Sequence, residues 1–275
     1  MSSIILASHG TDNPVGAAAI HNLVEAVRVQ LELTAPGTHR VFETFVDVQQ
    51  PQVAQVLTQA LTQNPNESAI IVPLLLSTGY HVRQDITDAV VEVTAQFPGS
   101  KVLVTPALGP SAELTSLLAE RLEQAGWKGT DLTVLAVAGS SDSAAVEECK
   151  LVHLELQEEL RKVNVTNRLE LAFLSAAEPR LKDLIPKLKF QNPRARLSIA
   201  NYLLAPGYFN DQANKAGAHM AARPLLDPEL QAPQQLIDVI LRRVSEAELG
   251  TALGCLSPND SRWSCAAGCA TPCRS

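Results

Sequence analysis

The stretch "LLSTGY" at Leu75–Tyr80 returns as "LLAPGY" at Leu203–Tyr208. In both places an apolar run breaks at a glycine and gives way to what reads as the start of a helix. The echo has company. "FVDVQQP" (Phe45–Pro51) returns as "FLSAAEP" (Phe173–Pro179), again 128 residues on. "LASHGT" (Leu6–Thr11) returns as "LAVAGSS" (Leu135–Ser141), with Gly10 matching Gly139, and "TPALGP" (Thr105–Pro110) returns as "RPLLDP" (Arg223–Pro228). Four echoes in the same order, the first three offset by 128 or 129 residues and the fourth by 118, point to a duplicated α/β unit of roughly 125 residues.

Working outward, each copy alternates apolar strands with amphipathic helices. In the first copy, strands are expected at Ile4–Ala7, Arg40–Val48, Ala69–Leu76 and Lys101–Thr105. Between them, Ile20, Leu23, Val24, Val27 and Leu31 recur at helical spacing, as do Ile86, Val90, Val93 and Phe97, with further helices at Val53–Leu61 and Leu114–Leu122. Continuous apolar strands alternating with such helices predict an α/β fold whose parallel sheets are covered on both faces. The pattern restarts after "AGWKGT" at 125–130. The expected organisation is therefore an N-terminal lobe at 1–128, a C-terminal lobe at 129–247 and a cysteine-rich tail at 248–275, with a cleft between the lobes.

Composition narrows the function classes. With 46% hydrophobic and 19% charged residues the chain is globular, and with only 4% aromatics its core must be mostly aliphatic and alanine. A formal charge of −7 argues against nonspecific nucleic-acid binding and supplies no polybasic membrane signal. The opening "MSSIILASHG" does not read as a signal peptide and no run approaches the ~20 apolar residues of a membrane span. The expectation is a cytoplasmic protein acting on a small molecule.

The duplication provides an internal control. Positions required by the fold should agree between copies, whereas positions required by chemistry can differ. Three polar positions differ: His9 becomes Ala138, Asp47 becomes Ser175 and His81 becomes Phe209. Each lies at, or just beyond, the carboxyl end of an expected strand, the edge at which open parallel sheets bind ligands. Two imidazoles and a carboxylate suit a divalent first-row metal ion. Asp47 could equally cap the helix before which it stands. Glu43 is a rival acid on the same strand face, but roughly 13 Å further from the edge at ~3.3 Å per residue.

"ILASHGT", "FVDVQQP" and "VPLLLSTGYHVRQDI" together resemble the motifs of the sirohydrochlorin chelatases, class II chelatases of siroheme and cobalamin synthesis, in the long form that carries two chelatase-like lobes. The resemblance covers about residues 3 to 245. It implies that His9 and His81 are the paired active-site histidines and that Asp47 stands where many relatives have glutamate. It implies insertion of a divalent ion, with Fe2+ favoured and Co2+ or Ni2+ compatible, into sirohydrochlorin. Arg83, in the same first helical turn as His81, is the expected anchor for a substrate carboxylate, with Thr11 and Ser77 completing the substrate-binding edge. Tyr80 recurs as Tyr208, which favours a packing role.

Other readings are weaker. Histidine phosphatases place an arginine before the first-strand histidine, and here that residue is Ser8. Neither a dinucleotide-binding G-x-G-x-x-G nor a phosphate-cradling G-x-x-x-x-G-K-[ST] motif is found. An intracellular carrier of metal or tetrapyrrole that binds without turnover is the alternative from outside catalysis. Oligomeric state is not legible, although two fused lobes make a monomer reasonable. Cys255, Cys265, Cys269 and Cys273 crowd the last stretch of the chain and could hold an iron–sulfur cluster or zinc, although their spacing matches neither family of sites well. Free thiols are the simpler reading, and a disulfide framework is disfavoured in the cytoplasm.

Overall fold

In a computed structural model, residues 1–64, 67–77, 79–162 and 169–250 are described, without the side chains of residues 80–82. The cysteines at 255, 265, 269 and 273 lie outside the described residues.

The chain forms two four-stranded parallel sheets with the same internal order. In the first, β1 (Ser2–Ser8) is flanked by β2 (His39–Phe45) and β3 (Ser68–Pro73), with β4 (Lys101–Val104) beyond β3. In the second, β5 (Leu132–Val137) is flanked by β6 (Leu169–Phe173) and β7 (Leu197–Tyr202), with β8 (Met220–Ala221) beyond β7. Helices α1 (Pro14–Thr34), α2 (Val53–Gln63), α3 (Tyr80–Gln96) and α4 (Ala112–Gln124) follow the strands of the first sheet. Helices α5 (Ser143–Arg161), α6 (Leu181–Gln191), α7 (Tyr208–Lys215) and α8 (Gln234–Leu249) follow those of the second. The duplicated α/β architecture is the one its sequence echoes predict.

Strand periodicity explains the layers. Successive side chains on a strand face opposite sides, so Ile4 and Leu6 of β1 join one core while Ile5 and Ala7 join another. The outer core of the first sheet is closed by α2 and α3, and that of the second by α6 and α7. The inner faces of both sheets share a single core with α1, α4, α5 and α8 between them. Within this middle layer the last helix of each copy leans on the other copy's sheet. Helix α4 packs on β7, and α8 packs on β3. Two lobes joined at a mobile waist would not be built this way; these are clasped reciprocally.

Two strands are shorter than their apolar runs suggest. β2, expected to reach Val48, ends at Phe45 because the chain curls back on β1: Val46 N–H donates to the Ser8 carbonyl at 2.9 Å, Asp47 N–H donates to the His9 carbonyl at 3.0 Å, and Val48 has φ 63°. β3, expected to reach Leu76, ends at Pro73, and Leu74–Ser77 enter the loop that leads to α3. Among the described residues no helix is long and apolar enough to cross a membrane.

Candidate active site

The carboxyl edges of the central strands of both sheets meet at a cleft of about 400 Å3. From the first copy it is lined by Ser8–Thr11, Gln49 and Leu74–Ser77. From the second it is lined by Val137–Gly139, Cys149 and the run from Tyr202 to Asn210. Apolar side chains, leucine foremost and including Tyr202, Tyr208 and Phe209, make up most of these walls, with polar groups at set positions, as in most small-molecule sites.

His9 leaves β1 at this edge and its side chain is exposed to the cleft. The turn behind it requires glycine. Gly10 has φ +93°, and a Cβ there would lie 2.2 Å from the Asp47 carbonyl oxygen. The second copy repeats the geometry: Gly139 has φ +91°, a Cβ would lie 1.9 Å from the Ser175 carbonyl oxygen, and Ser175 N–H donates to the Ala138 carbonyl at 2.8 Å. The two loops are thus built alike, and only the side chains differ. After Gly10, Thr11 takes a bond from Asn13 N–H on its hydroxyl (3.1 Å), and its own N–H donates to Gln49 Oε1 (2.8 Å). Asn13 then caps α1 through the Val15 and Gly16 amides. Thr11 does line the cleft, but its immediate work is to shape the turn that carries His9.

His81 occupies the second position of α3, whose first residue follows the cap Gly79. This places its backbone at the same sheet edge as His9, on the neighbouring strand connection. Its side chain lies outside the described residues. Asp47 is exposed beside His9, and its Oδ1 accepts from Val48 N–H at 2.7 Å. The rival acid, Glu43, faces α1 instead, with Oε2 2.9 Å from His21 Nδ1. Arg83 reaches across the lobes, its Nη2 3.8 Å from Asp142 Oδ2 at the start of α5. Ser77 lines the cleft beside Cys149.

Burial pushes the Cys149 thiol up to about 11, aided by the charge of Glu148 and partly opposed by a hydrogen bond from Ser77. At neutral pH it is therefore an uncharged part of the cleft floor and not a ready thiolate. Burial also drives the Tyr202 phenol well above its ordinary value, with the neighbouring Cys149 adding to it. The neutral Tyr202 hydroxyl donates to the Leu76 carbonyl at 3.1 Å and stitches the two lobes together under the cleft. Directly before His9, Ser8 lines the cleft, and its Oγ is buried with no hydrogen-bond partner among the described residues. Such orphaned groups are costly unless something else satisfies them.

Sequence reasoning missed Gln49, Tyr208 and Asn210. Gln49 sits inside a motif already singled out for Asp47. Tyr208, the echo of Tyr80, is 72% exposed and lines the cleft.

Comparison with known proteins agrees with this architecture. The family model CbiX matches residues 3–125, the first copy. A sirohydrochlorin ferrochelatase of Priestia megaterium is 25% identical over 209 residues, covering 75% of this chain and 74% of the relative. A sirohydrochlorin cobaltochelatase of Sulfurisphaera tokodaii is 28% identical over 80 residues, covering 29% of this chain and 62% of the relative. A solved structure of SirB from Bacillus subtilis with Fe3+ superposes with a TM-score of 0.74 at 21% identity, over 92% of this chain and 96% of that one, which establishes a shared fold.

Proposed function

We propose, for a chain that belongs to the sirohydrochlorin chelatase family, that it inserts a divalent metal ion into sirohydrochlorin within the cleft between its two copies. The single observation that supports the site is the asymmetry of an otherwise repeated frame. Two loops of matching backbone geometry meet the same cleft, and only the first carries an imidazole.

The reaction needs a partly dehydrated ion held near the ring and acceptors for two pyrrole protons. Neutral imidazole ligates first-row ions and, with an ordinary pKa near ~6.5, accepts protons near neutrality. His9 and His81 would hold the ion at the strand edge, with Asp47 beside His9 as the acid that completes the site or relays protons. Glu43 is the poorer choice because it is paired with His21 on the α1 side. Iron is favoured and cobalt is an accepted alternative, since the donor set suits either. A planar ligand in the cleft would lie on Leu74–Ser77, with Arg83 available to a substrate carboxylate once released from Asp142. The chemistry needs nothing from the tail cysteines.

The test is an anaerobic assay with sirohydrochlorin and Fe2+, Co2+ or Ni2+. His9→Ala and His81→Ala are each expected to slow insertion by about 100-fold or more, the scale of a lost ligand or proton acceptor. Both variants turning over at the wild-type rate would remove the assignment. Tight binding of sirohydrochlorin with no acceleration of insertion would mark the protein as a carrier instead.

A further inference from the structure

We propose that the first turn of α7, in the copy that lacks histidines, is a binding site for the face and one carboxylate of the tetrapyrrole. The inference rests on the chelatase reading and adds residues that reading does not use.

Tyr208 is the first residue of α7 and lines the cleft, yet 72% of its surface is open to solvent. A large aromatic ring left exposed at a cleft mouth costs free energy unless it serves contact with a ligand. The ring lies 5.6 Å from that of Phe209, the residue that replaces His81, so an aromatic pair stands where the first copy has its histidine turn. The turn is held close to the histidine side. A Cβ on Gly207 would lie 3.9 Å from Thr11 Oγ1, and one on Gly16 would lie 2.2 Å from the Pro206 carbonyl oxygen. Tyr208 therefore cannot withdraw from the His9 loop without unpacking α1.

The second observation is independent. Asn210, in the same turn, is only 8% exposed and lines the cleft. Its Oδ1 is taken by Asn214 Nδ2 at 3.3 Å, which leaves Nδ2 as a buried donor with no partner among the described residues. An orphaned donor beside the amides of a helix start suits an anion. A flat macrocycle bearing carboxylates offers both a face for the tyrosine ring and an oxygen for the amide. In this division of labour, the first copy alone supplies metal ligands, and the second adds an aromatic face and an amide donor to the ring contacts offered by Leu74–Ser77 and Arg83.

The experiment is titration of metal-free sirohydrochlorin into the full-length protein, followed by absorbance, with Co2+ binding measured separately by calorimetry. Tyr208→Ala should bind sirohydrochlorin at least about fivefold more weakly, the scale of a lost aromatic stack. It should bind Co2+ as the wild type does, and Tyr208→Phe should keep wild-type affinity for both. Asn210→Asp, which keeps the shape and adds a negative charge, should bind sirohydrochlorin more weakly than Asn210→Ala. Wild-type affinity in Tyr208→Ala or in Asn210→Asp, with the wild-type protein active, overturns this inference and leaves the chelatase reading standing. A wild-type protein that neither binds sirohydrochlorin nor accelerates insertion overturns both.

Discussion

Gly10 shows how much of the site depends on one backbone position. Its φ of +93° lies where side chains are strained, and the space a Cβ needs is filled by the Asp47 carbonyl. Gly10→Ala is expected to cost at least ~2 kcal/mol in urea denaturation. It should also lower insertion activity, because the loop that must shift carries His9. Gly139→Ala supplies the matched control. It meets the same crowding against Ser175, so its loss of stability should be similar, while its effect on insertion should be much smaller. Equal losses of activity in the two variants would mean that the catalytic edge is not confined to the first copy. The need for glycine at both positions was legible from the echo of Gly10 in Gly139. What each glycine makes room for was not, since the crowding atoms come from a strand connection some forty residues away.

At the scale of elements, the apolar runs and helical spacings were enough to place the strands and helices, and the errors fell at strand ends. β2 and β3 stop short of their apolar limits because the next residues bond to a neighbouring loop or line the cleft, a choice made by tertiary partners. The middle layer was likewise hidden. Arg121 on α4 is 4% exposed and gives both Nε and Nη2 to the Leu225 carbonyl beyond β8, a residue of the other copy. Burial lowers the pKa of this guanidinium, though the group stays charged at any working pH. Arg121→Ala leaves that carbonyl without its donors and should cost about 3 kcal/mol. Because α4 is shared, the loss should shift one cooperative urea transition for the whole chain. A new early transition for one lobe alone would contradict the clasped arrangement.

For the whole molecule, the exchange of α4 and α8 bears on how the chain divides. We propose that 1–128 and 129–247 are units of sequence and ancestry that do not fold as independent bodies. Residues 1–128 expressed alone would expose the apolar faces of α1 and α4 that normally meet the second sheet and α8. Size-exclusion chromatography should find that fragment self-associated or insoluble, and co-expression with 129–250 should restore a soluble heterodimer. A well-folded monomeric 1–128 would refute this. The same architecture accounts for the position of the cleft, since it forms only where the carboxyl edges of both sheets are held together.

The sequence by itself determined the duplicated α/β frame, the parallel sheets and the edge at which chemistry belongs. Those features follow from periodicity and from repeats that are written along the chain. It also singled out His9, Asp47 and His81, because a repeat makes every departure from itself visible. Only the tertiary structure decided that Glu43 turns to His21, that Arg83 faces Asp142 and that Tyr208 stands open at the cleft. Each of these depends on a partner distant in sequence, and the direction in which a side chain points is set by the space its neighbours leave.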